Sequence, residues 1–147
     1  MVETTLTYKD HPFLAELGLQ EHNFGVYRSG EWVGHGPVFT SVNPHNNQAI
    51  ATIQMGSPED YESCIQAMLE ERDRWMQLPM PARGEIIRQV GQALREKKCA
   101  LGSLIALEMG KIKSEGDGEV QEYIDCCDMA VGLSRTIEGK VIPSERP

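Results

Sequence analysis

The sequence predicts an α/β protein that is mostly helical, with about four helices and short β-hairpins gathered in its first third. Three observations carry this prediction. Turn residues separate short extended runs before residue 57, apolar residues recur at helical spacing after it, and helix-capping residues mark the change. With 147 residues, 40% of them hydrophobic, the chain can bury the core of one ordinary domain. We expect short strands and loops over 1–56, helices over 57–136 and an extended tail over 137–147.

Two hairpins are predicted in the first third. Val26–Val33 has a short extended run on each side of a Ser-Gly pair, which is typical of a tight turn. Pro37–Pro44 and Ala49–Met55 flank an Asn-Asn pair in the same way. Ahead of both, Pro12–Leu17 predicts a short helix that stops at a glycine.

The first long helix is predicted to start after Ser57. Ser57 is a capping residue, Pro58 suits the first helical position, and Glu59 and Asp60 face the positive end of the helix dipole. The helix should end before Pro79. Its apolar residues fall on one face and are Tyr61, Ile65, Met68, Leu69, Trp75 and Met76.

Three more helices are predicted downstream. One runs from Pro81 to about Lys98, with basic residues in its last turn, where they suit the negative end of the dipole. The next covers Leu101–Met109 and stops at Gly110. The last begins at about Gly118 and carries apolar residues at helical spacing.

Charge and composition exclude several kinds of partner. The net charge of −8 at pH 7 repels the phosphates of nucleic acids and of anionic membranes, so we expect neither as a partner. The apolar runs are too short to span a bilayer, and the chain does not start with a basic segment followed by an apolar one. The four cysteines form no CxxC motif, which favours reduced thiols. These features are typical of a cytoplasmic protein.

The pair Gly110-Lys111 resembles the end of a phosphate-binding loop. Such a loop needs a glycine five positions earlier and Ser or Thr after the lysine, and Ile105 and Ile112 occupy those places. The alternative, a glycine that ends a helix in a left-handed cap, is therefore favoured.

The acidic run Glu115–Glu119 could in principle bind calcium. A calcium loop, however, spaces its oxygen ligands at alternate positions and closes with a glutamate six residues after its glycine, and no such series is present. We expect instead that Asp117 and Glu119 lie at the N-terminus of the last helix and stabilise it through the dipole.

Cysteine and histidine show no spacing that indicates a catalytic or metal site. Cys126 and Cys127 are adjacent, so their side chains on a helix diverge by about 100°, and core packing is favoured for Cys127. Cys64 and Cys99 have no histidine nearby in sequence. A cysteine–histidine nucleophile or a zinc site would have to assemble in space. The histidines are His11, His22, His35 and His45.

The order of motifs between Ser41 and Lys98 resembles the opening of an aldehyde dehydrogenase. A Val-Asn-Pro turn is followed by a strand, a helix with a late Trp, a Pro-x-Pro-x-Arg junction and a helix that ends in basic residues. Four stretches closely resemble the antiquitin branch of this superfamily, and the resemblance extends from about Phe13 to Pro147. They are Leu17–Trp32, Arg83–Lys97, Leu101–Ile112 and Glu115–Arg135. The resemblance implies an incomplete N-terminal portion of an NAD-binding domain.

The chemistry that the resemblance implies needs residues that this sequence does not match. Members of the superfamily bind NAD through a Rossmann-like domain, attack the aldehyde with a cysteine thiolate, hold the oxyanion with an Asn side chain and a backbone N–H, and deprotonate the deacylating water with a Glu. No stretch here matches the surroundings of those groups or the glycine motif that contacts NAD. No catalytic or cofactor-binding residue is therefore assigned, and NAD is expected in the full-length parent only.

The resemblance implies one further site, a structural cation. Some members of the superfamily hold it between the backbone of the Val-Asn-Pro turn and an acidic residue just ahead of a helix-ending Gly-Lys. The matching positions are Val42 and Glu108, and the third ligand would lie beyond Pro147. The alternative for Glu108 is a solvated glutamate at a helix end.

Two functions stay open. The resemblance implies an NAD-dependent enzyme that oxidises α-aminoadipic semialdehyde or related aldehydes to carboxylic acids. It also implies a homotetramer whose subunits are joined by a ribbon of strands, and the tail 137–147 would lead towards that ribbon. That parent is expected in the cytoplasm, with a mitochondrial form as the alternative, and the chain alone is expected to be inactive. The second function is a non-catalytic helical module that binds full-length subunits or another partner.

Overall fold

The computed structural model describes residues 5–146, in which a small β region precedes three long helices. The strands are β1 His22–Phe24, β2 Val26–Arg28, β3 Glu31–Val33, β4 Val38–Val42 and β5 Ala49–Gln54. The helices are α1 Pro12–Glu16, α2 Pro58–Gln77, α3 Met80–Met109 and α4 Lys113–Thr136, and a 3₁₀ helix spans Tyr8–Asp10. The predicted α/β class, mostly helical with short hairpins, is confirmed.

Both predicted hairpins are present. β2 and β3 pair antiparallel, and the turn residues Ser29 and Gly30 adopt φ values of 50° and 96°, since a type I′ hairpin turn requires positive φ at both positions. β4 and β5 also pair antiparallel, and Asn47 in their connection has a φ of 56°.

Strand β1 is the element that the sequence does not reveal. It pairs parallel with β5, through His22 opposite Thr52 and Phe24 opposite Gln54, and gives the sheet the order β1-β5-β4. Its three residues are too few to show alternation, and its partner is distant in sequence. Only the tertiary fold therefore defines it.

The start of α2 follows the prediction. The Ser57 hydroxyl accepts the N–H of Asp60, and the Asp60 carboxylate accepts the N–H of Ser57, which completes a capping box. Pro58 occupies the first helical position, and the helix ends at Gln77, ahead of Pro79.

The two predicted helices Pro81–Lys98 and Leu101–Met109 are a single helix, α3. The expected break is wrong because neither Cys99 nor Ala100 interrupts helical hydrogen bonding, and alanine is the strongest helix former. Two of the basic residues that suggested a helix end, Arg95 and Lys98, contact α4 instead, and Lys97 contacts Glu16 of α1. Arg95 donates to both carboxylate oxygens of Asp128 at 2.6 Å.

The last helix begins at Lys113 and not near Gly118. The Gly116-Asp117-Gly118 sequence thus lies inside α4 and does not form a loop between α3 and α4. Gly116 is needed where the two helices pack. A Cβ at Gly116 would lie 2.2 Å from the carbonyl oxygen of Gly102 in α3. The two backbones therefore touch, and this packing outweighs the low helix propensity of glycine, about 1 kcal/mol.

Buried apolar side chains lie both in the β region and along the α3–α4 pair. Leu14, Ile50 and Ala51 are buried where α1, β5 and the end of α3 meet, and the partly buried residues packed on them are Tyr8, Phe13, Leu19, Leu104 and Leu107. Val120 and Ile124 are buried between α3 and α4. Residues 137–146 continue without helix or strand. In the described part of the chain, no helix has the length and apolar character needed to cross a membrane.

Candidate functional site

The residues predicted to hold a cation lie at a junction between β4 and the end of α3. Ser41 is buried in β4 and donates its hydroxyl to Glu108 Oε1 at 2.5 Å. Gly110 ends α3 with a φ of 68°, as predicted, and a Cβ there would lie 3.0 Å from Pro44 Cγ. The fold thus brings the Val-Asn-Pro turn, with Val42, next to the helix end.

A cavity of about 200 Å³ opens beside this junction. Ser41 and Glu108 supply polar groups to its wall, and Leu14, Ile50 and Leu104 supply apolar ones. Carboxylate and carbonyl oxygens are the ligands that hard cations prefer. Within residues 5–146, no group of three or more His, Cys, Asp or Glu side chains is placed to hold a metal ion. A cation at Val42 and Glu108 stays a prediction that depends on a third ligand from elsewhere.

A second junction, which sequence reasoning misses, centres on the buried carboxylate of Asp60. Asp60 Oδ2 accepts the backbone N–H of Ser57 at 2.9 Å and that of His35 at 3.0 Å. Asp60 Oδ1 lies 2.7 Å from His35 Nδ1. The capping pattern around Ser57 is readable in the sequence, but no local pattern connects Asp60 with a histidine in the β3–β4 loop.

These contacts fix the charge of Asp60. They lower the pKa of Asp60 from 3.8 to about 2, mainly through the backbone N–H of Ser57 and then through the side chain of His35, while burial opposes the shift. The carboxylate is therefore ionised at neutral pH. It acts as a fixed hydrogen-bond acceptor and cannot serve as a general acid there.

Two acids of the run Glu115–Glu119 are paired with lysines. Lys113 pairs with Asp117 one helical turn away, and Lys111 pairs with Glu119. Hydrogen bonds to these carboxylates raise the pKa of both lysines. The expectation that Asp117 and Glu119 stabilise the helix start is wrong, because α4 begins at Lys113 and both residues lie beyond its first turn.

The cysteines do not meet the histidines in the contacts observed. His22 Nδ1 lies 2.7 Å from the Thr52 hydroxyl, and His35 contacts Asp60. Cys127 lies against Gly91 between α3 and α4, as core packing predicts. All four cysteines are free thiols, and they are Cys64, Cys99, Cys126 and Cys127.

The fold and the sequence together define the class of protein. A family model described as the aldehyde dehydrogenase family matches residues 32–147, which is most of the chain. The chain belongs to the aldehyde dehydrogenase family.

Individual relatives narrow the comparison. An aldehyde dehydrogenase family 7 member A1 homologue from Dictyostelium discoideum is 56% identical over 142 residues, covering 96% of this chain and 28% of its own length. The α-aminoadipic semialdehyde dehydrogenase of Bos taurus is 54% identical over 137 residues. The match covers 93% of this chain and 25% of the bovine protein. A solved structure of betaine aldehyde dehydrogenase from Staphylococcus aureus, in complex with NAD⁺, is 29% identical with a TM-score of 0.74, covering 82% and 25%. The chain therefore spans little more than a quarter of the curated relatives it matches.

Proposed function

We propose that this chain is the first part of the cofactor-binding domain of an NAD-dependent aldehyde dehydrogenase. The complete enzyme would oxidise α-aminoadipic semialdehyde or a related aldehyde to the carboxylic acid, as a cytoplasmic homotetramer. The observation that carries the proposal is the 54% identity to the bovine semialdehyde dehydrogenase across 93% of this chain. The NAD⁺ bound in the similar betaine aldehyde dehydrogenase supports NAD as the cofactor.

The proposed role of these residues within that enzyme is structural. The Asp60 carboxylate accepts hydrogen bonds from Ser57 and His35, and Glu119 and Asp117 are paired with lysines. Each of these acids is thus engaged in a contact within the fold. Such contacts support a scaffold whose substitutions act through packing and not through a chemical step.

The apolar face of α2 supports the same role. Tyr61, Met68, Leu69 and Met76 are 49–64% exposed in the described residues. A stripe of this kind on an amphipathic helix is normally covered in a stable domain. We propose that the remainder of the cofactor-binding domain covers it.

An exchange of segments tests the proposal. The matching segment of the bovine α-aminoadipic semialdehyde dehydrogenase is replaced by this chain, and the formation of NADH from α-aminoadipic semialdehyde is measured per folded tetramer. We expect activity within about tenfold of the parent, since the segment contributes fold and not chemistry. A soluble, tetrameric product without activity would contradict the proposed role.

The same exposed face favours a second candidate, a non-catalytic helical module that binds complete subunits. The purified chain is mixed with the intact bovine enzyme and followed by sedimentation. Stoichiometric association with intact tetramers would favour the module. The absence of association, together with an active segment exchange, would favour the enzyme.

A further inference from the structure

The β2–β3 hairpin is rooted at both of its ends on one short segment, Gln54–Gly56, which joins β5 to α2. At the first end, the N–H of Gly25 donates to the carbonyl of Gln54 at 2.9 Å. At the second end, the N–H of Gly36 donates to the carbonyl of Met55 at 2.8 Å, and Gln54 Nε2 donates to the carbonyl of Gly36. The hairpin and the start of α2 therefore share one anchor.

The second end lies so close to this segment that side chains are excluded. A Cβ at Gly34 would lie 2.3 Å from the carbonyl oxygen of Gln54, and one at Gly36 would lie 2.3 Å from that of Gly56. His35 stands between these two glycines and is the residue that reaches Asp60. The Gly-His-Gly sequence thus combines close backbone contact with one side chain that can cross to α2.

The Asp60 carboxylate joins the two structures at this point. It binds the backbone N–H of Ser57 at the start of α2, and both the backbone N–H and the imidazole of His35 at the end of the hairpin. Asp60 is also the only residue of α2 that is buried. A buried carboxylate with three donors from two segments is a strong local constraint, because its loss leaves those donors unpaired.

The hairpin itself is short. β2 and β3 contribute three residues each, and Tyr27 and Trp32, which pack on each other at 5.2 Å, are 59% and 63% exposed. An isolated two-stranded hairpin is at best marginally stable in water. Apart from the contact of β2 with α2, this hairpin therefore depends on its anchor.

We propose that Asp60 is a clamp that makes the β2–β3 hairpin and the first turn of α2 open and close as one unit. The clamp thereby fixes the position of the exposed Tyr27–Trp32 pair relative to α2. Opening of this unit does not require α3 and α4 to separate, since the clamp contacts neither helix.

Hydrogen exchange of backbone amides tests the clamp on the 147-residue chain. In Asp60→Asn, we expect the amides of β2, β3 and the first turn of α2 to exchange about tenfold faster, because a charge-assisted acceptor is lost. The amides of α3 and α4 should keep their protection. Glu62→Gln, which removes an exposed acid of the same helix, is the matched control and should change neither region.

A milder variant keeps the test decisive if Asp60→Asn unfolds the chain. His35→Ala removes the imidazole contact but keeps the backbone N–H, so it should accelerate exchange in the hairpin and the first turn of α2 together, by less than Asp60→Asn. Faster exchange in the hairpin alone would contradict the proposed coupling. Unchanged exchange in His35→Ala, or equal acceleration in Glu62→Gln, would overturn the clamp.

Discussion

The helix pair α3–α4 and the helix α2 are held in the fold in opposite ways. Along α3 and α4, the buried residues are small or apolar, and Gly102 and Gly116 bring the two backbones into contact. Along α2, the one buried residue is the charged Asp60. At the other end of α2, Arg83 donates to the carbonyls of Met76 and Leu78 at 3.0 Å. The pair is fixed along its length by packing, whereas α2 is fixed at its ends by hydrogen bonds.

This difference shows that an amphipathic pattern predicts which face of a helix will be covered, but does not predict which element covers it. The apolar residues of α4 find theirs in α3, within the chain. The apolar residues of α2 stay exposed in the described residues. Substitutions should therefore reduce stability most in the interior of the α3–α4 pair, less at the ends of α2 and least at surface charges.

The largest effect is expected from Ile124→Asp. Ile124 is 2% exposed between α3 and α4, so the change places a charge in an apolar contact and should cost about 4 kcal/mol. Urea unfolding followed by circular dichroism measures this cost. The control is Tyr123→Asp, because the neighbouring Tyr123 is 65% exposed and should lose less than about 1 kcal/mol. Equal losses would show that α4 is not packed as described.

Gly116→Ala should come next. The added Cβ meets the backbone oxygen of Gly102, which cannot move alone, so we expect a loss of about 2 kcal/mol in the free energy of unfolding. At Gly118, on the opposite face of α4, no heavy atom lies within 4 Å of an added Cβ. Gly118→Ala should accordingly stabilise the chain by about 0.5–1 kcal/mol. A stabilising Gly116→Ala would mean that the helices are farther apart.

Asp60→Asn should lower the melting temperature in a pH-dependent way. The pKa of Asp60 is depressed to about 2 from 3.8, so the stability it contributes is present above pH 3.8 and is lost as the pH falls towards 2. The difference in melting temperature between the native chain and Asp60→Asn should be present at pH 5 and shrink below pH 4. Asp73→Asn, an exposed acid on α2, should show no such difference. A difference in melting temperature at pH 2 as large as that at pH 5 would show that the ionised Asp60 carboxylate is not its cause.

The smallest effect is expected from Glu119→Gln. It removes the pairing with Lys111 at a partly exposed position, where ion pairs contribute little, so the melting temperature should fall by less than about 2 °C. The activity of the segment-exchange enzyme per folded tetramer should be unchanged. Loss of that activity with an intact tetramer would make the acidic run a functional site.

Sequence reasoning recovered the elements whose signals are local. The cap at Ser57, the left-handed Gly110 and both hairpin turns follow from residue types at fixed spacing. It failed where a distant contact decides. Gly116 is read as a helix breaker until Gly102 is placed against it, and β1 is visible only beside β5.

Of the two candidate sites, one could be located from the sequence and the other could not. The resemblance located Val42 and Glu108, and the fold brings their two segments together through Ser41. The Asp60–His35 contact had no sequence signal, because it joins a loop to a helix across the β4–β5 hairpin. Long-range polar contacts of this kind become visible only in three dimensions.

The central claim, that these residues form a scaffold and perform no chemistry, is tested most directly by assaying the purified chain alone. The chain is incubated with NAD⁺ and α-aminoadipic semialdehyde, and the absorbance of NADH is followed over time. We expect no NADH, because in the hydrogen bonds of residues 5–146 no cysteine meets a histidine that could act as its base. Formation of NADH that disappears when Cys64, Cys99, Cys126 or Cys127 is replaced by serine would identify a nucleophile in this chain and contradict the claim.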